Sequence, residues 1–166
     1  MELAEIGKNI LTNCMNVKPG ENVLIVTDDE KYAIGQALYQ AAKLLKAEAM
    51  LMTMTAREVS GQEPPAVVAA AMKAADVVIC PMKTSITHTR AKIEAAEAGA
   101  RIATMPGITE EMFAMGAMTA DYSRVMALTE QVTDLLTNAN TARIEKDGHV
   151  LTLDLRGRRG VSSPGV

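Results

Sequence analysis

The stretch "NVLIVTD" at Asn22–Asp28 decides the fold, because its four central aliphatic residues follow one another without a polar position between them. A strand with one solvated face alternates apolar and polar residues, whereas a continuous aliphatic and β-branched run is typical of a strand buried on both faces. Such strands belong to parallel sheets that helices cover on both sides. Pro19 and Gly20 form a turn just before this run, and Asp28 or Asp29 is expected to cap the helix that follows.

The same pattern recurs along the chain. Strand-like runs at 47–54, 76–82 and 100–107 alternate with segments of helical periodicity, which indicates a parallel sheet joined by crossovers. We therefore predict an α/β fold, Rossmann-like or flavodoxin-like, with a strand order near 2-1-3-4 and helices on both faces. The helices are expected at 2–15, at 30–46, after Pro64-Pro65, at 87–98, at about 109–116 and at about 121–139.

Residues 141–166 break this alternation. The segment "ARIEKDGHVLTLDLRGR" contains two strand-like runs around Asp147-Gly148, which is a strong hairpin signal. Leu151, Leu153 and Leu155 would share one face with no partner in this stretch, and a lone hairpin is marginal in water. We therefore predict an N-terminal α/β domain at 1–140 and the truncated start of a second domain at 141–166.

Composition excludes several classes of protein. The 166 residues carry a net charge of −3, with no Trp, one Phe and no dense basic run apart from "RGRRG" near the end, so no nucleic-acid partner is expected. The amphipathic start is unlike a signal peptide, and the apolar runs are too short to span a membrane. Cys14 and Cys80 stand alone, which argues against a disulfide framework. We expect a cytoplasmic protein without a membrane partner.

Common ligand motifs are absent after the first strand. The loop "TDDEKYAIG" has no glycine before Gly35, and its three acidic residues would repel a phosphate, so dinucleotide binding is excluded. Asp28 and Asp29 resemble the acids of a phosphorelay receiver, but Cys80 and Pro81 stand where that architecture needs an acid. With only two histidines, His88 and His149, we expect no metal site and no cofactor held by this chain alone.

The segment "PMKTSITHTRAK" at Pro81–Lys92 is the best candidate site, because it follows the third predicted strand. Thr87 is the predicted N-cap, which would place His88 in the first helical turn. Free N–H groups there attract anions and favour a neutral imidazole that gives or takes a proton near pH 7. The alternative is that Thr84, Ser85 and Thr87 only satisfy backbone donors beside a half-exposed His88. No G-x-S-x-G elbow makes Ser85 a nucleophile.

Three segments resemble the aminopeptidase T (leucyl aminopeptidase) family: "VKPGENVLIVTDDE", "SITHTRAKIEAAEAGARIATMPGITEEMF" and "GHVLTLDLRGR". The resemblance runs from about Leu3 to Arg158. It implies a dimeric, metal-dependent aminopeptidase that acts on peptides, although some relatives are ring-cleaving iron dioxygenases. In that family a second domain carries the metal ligands, and no matching positions exist in this sequence.

The resemblance also implies a role for the N-terminal domain, which would flank the catalytic cleft and support a homo-oligomer. It implies that His88 projects toward the cleft as a catalytic residue, with Ser85 and Thr87 beside it as substrate-binding residues. Divalent metal ions would belong to the complete enzyme, and this chain alone would be inactive. The alternative is a stand-alone module for small-ligand binding or dimerisation.

Overall fold

A parallel sheet in the order β2-β1-β3-β4 forms the centre of the first part of the chain, as the computed structural model of residues 3–163 shows. The predicted α/β fold and strand order are therefore confirmed. The strands are β1 (Asn22–Asp28), β2 (Glu48–Met54), β3 (Val77–Met82) and β4 (Arg101–Pro106). The helices around them are α1 (Leu3–Asn13), α2 (Tyr32–Leu44), α3 (Ala66–Ala74), α4 (Arg90–Glu97) and α5 (Glu110–Ala114), followed by a 3-10 turn at Gly116–Thr119.

Helices cover both faces of the sheet, as the continuous apolar strands require. Val23 and Ile25 of β1 point into one core together with α1 and α2, and Phe113 of α5 closes it. Leu24 and Val26 point into the opposite core, which α3 and α4 complete. All residues of β3 and all but the first of β1 are buried, which explains why their sequences show no alternation.

The predicted helix at 87–98 begins three residues too early, because α4 starts at Arg90. The predicted helix at 30–46 is likewise shortened to Tyr32–Leu44, and Lys31 precedes it without a side-chain cap. The prediction that Asp28 or Asp29 caps this helix is therefore wrong. The predicted helix at 2–15 is α1 within the described residues, and residue 2 lies outside them.

A second compact unit begins at Ala120, and the first ends at Thr119. The second unit contains α6 (Tyr122–Asn138) and an antiparallel hairpin of β5 (Thr141–Lys146) and β6 (His149–Asp154). Asp147 and Gly148 both have positive φ, at 50° and 79°, which is the conformation of a two-residue hairpin turn. The hairpin is confirmed, while the domain boundary after residue 140 remains a prediction.

The second unit leaves its apolar side chains largely exposed. No residue of α6 is buried, and every residue of β6 is exposed. Leu135 is 70% exposed and Leu151 is 53% exposed, although both residue types normally supply a protein core. None of the helices within residues 3–163 has the length and apolar character needed to cross a bilayer.

Candidate active site at the carboxyl edge of the sheet

The first and third strands lie side by side, so the strand order switches between them. In open α/β sheets this switch creates a crevice at the carboxyl ends of the strands, where ligands usually bind. Here the crevice is closed by Asp28, which is fully buried at the end of β1. Its Oδ2 accepts a hydrogen bond from the backbone N–H of Lys83 at 2.6 Å. Its Oδ1 accepts from Glu30 N at 3.1 Å and Lys31 N at 3.0 Å.

Neighbouring contacts reinforce this closure. The hydroxyl of Thr27 donates to the carbonyl oxygen of Pro81 at 2.9 Å, again joining β1 to β3. Lys83 Nζ contacts Glu30 Oε1 at 2.6 Å, and the hydrogen bond and charge of Glu30 raise the pKa of Lys83. Gly35 lets α2 approach this corner, because a Cβ there would lie 2.9 Å from a methyl carbon of Thr27. The switch point is thus filled by the chain itself.

The second acidic residue fixes the loop after β2. Oδ1 of Asp29 accepts a hydrogen bond from Ala56 N at 2.9 Å. Further along the same loop, Gly61 N donates a hydrogen bond to Ser85 O at 2.8 Å, which joins the loop to the segment after β3. Each of the two adjacent acids therefore accepts from a donor distant in sequence, Lys83 N for Asp28 and Ala56 N for Asp29, and neither is the N-cap of α2.

Ser85 and Thr87, the two predicted substrate-binding residues, lie together in a chain of hydroxyls. Ser85 Oγ donates to Thr87 Oγ1 at 2.9 Å, and Thr87 N donates to Ser85 Oγ at 3.2 Å. Thr87 Oγ1 lies 2.8 Å from Thr104 Oγ1 of β4. Sequence reasoning missed Thr104, although β4 follows β3 in the sheet and Thr104 is in register with Cys80.

His88, the predicted catalytic residue, is exposed in the turn that precedes α4. Ile86 and Thr89 on either side of it are both buried. Thr89 Oγ1 donates to Ile86 O at 2.7 Å and accepts from Lys92 N at 3.3 Å, so Thr89 is the N-cap. The prediction that Thr87 caps this helix and places His88 in its first turn is therefore wrong. The imidazole is instead exposed on a turn that is fixed by the buried residues Ile86 and Thr89 and by the hydrogen bond between them.

The amino end of α4 does not offer free donors to an anion. Glu63 supplies a carboxylate from the loop before α3, with Oε1 accepting from Arg90 N at 2.6 Å and Oε2 from Ala91 N at 3.2 Å. Together with the Thr89 cap, this carboxylate satisfies the first turn of the helix. Glu63 occupies the position that the sequence suggested for a small anion. No local pattern indicated Glu63, which lies far from α4 in the sequence.

Two buried polar atoms near this edge lack a hydrogen-bond partner within residues 3–163. They are Arg57 Nε, in the loop after β2, and Thr84 Oγ1, in the loop after β3. A buried polar group that is left unpaired lowers the stability of the fold. Each of these two atoms could therefore form a favourable hydrogen bond with a water or a ligand.

A metal ion, which the resemblance implies for the complete enzyme, does not fit the residues present. Within residues 3–163, no group of three or more His, Cys, Asp or Glu side chains converges to hold one. Ser85, Thr87 and Thr104 offer neutral hydroxyls that are bonded to one another, and Asp28 is occupied by three backbone donors.

The fold and this edge define the class of the protein as an open, doubly wound α/β domain with its polar loops at the carboxyl ends of the strands. The family model of NicX, 2,5-dihydroxypyridine 5,6-dioxygenase, matches residues 2–166. The chain belongs to this family. No curated protein matches the chain.

Two solved structures share the fold. The 2,5-dihydroxypyridine dioxygenase of Pseudomonas putida KT2440 matches with a TM-score of 0.63 and 18% identity, over 92% of this chain and 46% of its own. Wild-type AmpT from Thermus thermophilus matches with a TM-score of 0.57 and 13% identity, over 92% of this chain and 53% of its own. The chain thus spans about half the length of either structure. The aminopeptidase T resemblance is supported at the level of fold.

Proposed function

We propose that this chain forms the N-terminal part of a metal-dependent enzyme whose complete form cleaves the ring of a dihydroxypyridine with dioxygen. The family match across residues 2–166 carries this proposal. The match favours ring cleavage by a dioxygenase over peptide hydrolysis by an aminopeptidase, because the matching family is that of 2,5-dihydroxypyridine 5,6-dioxygenase. The chain spans about half of the similar dioxygenase structure, so the metal ligands would come from polypeptide outside residues 1–166.

In this proposal the carboxyl edge of the sheet forms one wall of the catalytic cleft. The contacts of Asp28 make that edge rigid, because they join the ends of β1 and β3. His88 is the catalytic residue of the wall, since its imidazole is exposed and is of the side-chain type that most often serves as a general acid or base. Ser85 and Thr87 hold the turn that carries it, and Thr104 anchors their hydroxyls to β4.

A second candidate is a metal-dependent aminopeptidase, which removes N-terminal residues from peptides. The fold shared with AmpT and the three segments that resemble aminopeptidase T favour it. The same wall would then face a peptide. A stand-alone anion-binding module is disfavoured, because Glu63 already fills the amino end of α4.

The test compares the two activities on the native, full-length protein from its source, after an immunoblot against this domain establishes its mass. With Fe(II) and air, we expect loss of 2,5-dihydroxypyridine with equimolar dioxygen uptake. Release of p-nitroaniline from leucine p-nitroanilide, without dioxygen uptake, would replace the proposal by the aminopeptidase. A native product of only 17.7 kDa with neither activity would overturn both and favour a stand-alone module.

A further inference from the structure

The two unpaired polar atoms at the carboxyl edge of the sheet belong to groups that can donate hydrogen bonds. Arg57 Nε and Thr84 Oγ1 are both buried, and neither has a partner within residues 3–163. A guanidinium has donors and no acceptor, whereas a hydroxyl can donate as well as accept. Native proteins leave few such atoms unpaired, because the lost hydrogen bond is costly. The missing partner of Arg57 Nε must therefore be an acceptor, and Thr84 Oγ1 can donate to the same kind of atom.

The positive charge of Arg57 is also left without a partner. The residue is half-buried, and its guanidinium forms no ion pair or hydrogen bond with another residue in the described range 3–163. Asp29 reaches the same loop, but its Oδ1 accepts from Ala56 N at 2.9 Å. A cation that is partly removed from water is stabilised by an anion beside it. The acceptor that best fits Arg57 is therefore negatively charged.

The loops that carry Arg57 and Thr84 are joined to each other. Arg57 follows β2 and Thr84 follows β3, and β1 lies between these two strands in the sheet. Ser60 Oγ accepts a hydrogen bond from Ser85 N at 3.2 Å, and Gly61 N donates to Ser85 O at 2.8 Å. The two loops therefore meet across the end of β1. Because Ser85 directly follows Thr84, these bonds bring the loop of Arg57 to the backbone beside Thr84.

This location differs from the two places at the same edge that the chain fills itself. Asp28 is fully buried and accepts three backbone donors, and Glu63 occupies the amino end of α4. Arg57 and Thr84 are each only half-buried, so part of each side chain reaches the surface. An anion can therefore approach the guanidinium from solvent, and a rotamer change of Arg57 turns Nε toward it. The exposed His88 follows Thr84 in the same segment of the chain.

We propose that Arg57 and Thr84 together bind a planar oxyanion, either a carboxylate or the ionised hydroxyl of an aromatic ring. The guanidinium donates two N–H groups to the oxyanion, as arginine does to carboxylates, and the Thr84 hydroxyl donates a third hydrogen bond. The pair orients the substrate at the wall that carries His88. This role deepens the proposed function and rests on it for the identity of the substrate, whereas oxyanion binding itself follows from the two side chains.

NMR of the nitrogen-15-labelled chain tests the pair, because the Nε–H group of Arg57 gives a signal of its own, which Arg57→Lys identifies by its loss. We expect sodium benzoate to shift this signal in a saturable titration, and neutral benzamide, which has a similar shape, to leave it in place. Thr84→Val should weaken benzoate binding about tenfold, because it removes one hydrogen bond to a charged group. Arg57→Met should abolish binding, as followed at the backbone N–H signals of both loops. The absence of a saturable shift with benzoate, or an equal shift with benzamide, would overturn the proposal.

The melting temperature separates this role from a structural one. Arg57→Met and Thr84→Val should leave it unchanged or raise it, because each removes a polar group that has no partner in the fold. Arg90→Met and Thr55→Val change exposed residues that also follow strands or precede α4, and these controls should bind benzoate as the parent chain does. A lower melting temperature with unchanged benzoate binding would overturn the proposal, and so would an equal loss of binding in Arg90→Met.

Competition against benzoate then identifies the source of the oxyanion, with all solutions kept free of metal and air. Displacement by 2,5-dihydroxypyridine supports a ring oxyanion at the pair, and displacement by glycyl-leucine supports the carboxylate of a peptide. If benzoate binds through Arg57 and Thr84 while neither compound displaces it, the oxyanion pair stands and its use in both candidate reactions is refuted. Failure of the pair and failure of the proposed function are thus distinguishable.

Discussion

Asp28 and Lys83 are joined directly at the switch point of the sheet, where Oδ2 of the carboxylate accepts the backbone N–H at 2.6 Å. The bond spans the crevice in which doubly wound domains usually hold a ligand. Because the same carboxylate also accepts from Glu30 and Lys31, one side chain organises the whole corner. In this domain the crevice is therefore occupied by hydrogen bonds of the chain itself, which hold the ends of β1 and β3 together.

Asp28→Ala is expected to lower the free energy of unfolding by about 2–3 kcal/mol, because three backbone donors lose their acceptor. Urea unfolding of the 166-residue chain measures the change. Asp29→Ala is the matched control and should cost less than about 1 kcal/mol, since Asp29 is exposed and accepts from Ala56 alone. Equal losses for the two variants would contradict the special role of Asp28.

His88→Ala in the full-length enzyme is expected to lower kcat by about 10²–10⁴, the contribution typical of a general acid or base. The melting temperature should barely move, because His88 is exposed and the structure shows no hydrogen bond of its imidazole to another described residue. His149→Ala, in the exposed strand β6, is the control and should leave turnover unchanged. Loss of stability with unchanged turnover would assign His88 a structural role only.

Glu63→Ala is expected to destabilise the domain by about 1 kcal/mol, since it removes the carboxylate from the amino end of α4. The variant should also gain stabilisation by sulfate, because its helix donors become free for an anion. Thermal unfolding at increasing sulfate concentration measures both effects. Glu97→Ala, at the other end of α4, should show neither, and an equal sulfate response in the parent chain would refute the occupancy of this site by Glu63.

Glu21 predicts a pH dependence of stability. Its hydrogen bond to Arg101, at 2.7 Å, is the main cause that lowers its pKa below the ordinary value of 4.5. A depressed folded-state pKa stabilises the fold above the unfolded-state pKa, and this contribution is lost as the pH falls through the folded-state value. Glu21→Gln should therefore cost up to about 1 kcal/mol at pH 7. The difference from the parent chain should shrink below pH 4.5 in urea unfolding, and a constant difference would count against the ion pair.

The fold could be predicted because its signals are local. The run in β1 and the turn residues Asp147 and Gly148 specify their own conformations, and the observed strands begin and end within about one residue of the prediction. The site was harder to predict because its decisive contacts are distant in sequence. Thr87 and Thr89 are equally competent caps by type, and the burial of Ile86 together with the carboxylate of Glu63 selects Thr89. Thr104 lies within the strand β4, and no feature of the strand's sequence indicates its contact with Thr87.

The bond between Asp28 and Lys83 also orders events during synthesis, since 55 residues separate its two ends. When β1, α2 and β2 leave the ribosome, the Asp28 carboxylate is still hydrated and its strand still lacks the neighbour β3. Loop closure over that distance must come before the contact gives any stabilisation. Nascent chains that stop before Val77 therefore leave unpaired the edge of β1 that β3 occupies in the folded sheet. Synthesis of β3 and Lys83 supplies both the missing neighbour of β1 and the donor for the Asp28 carboxylate.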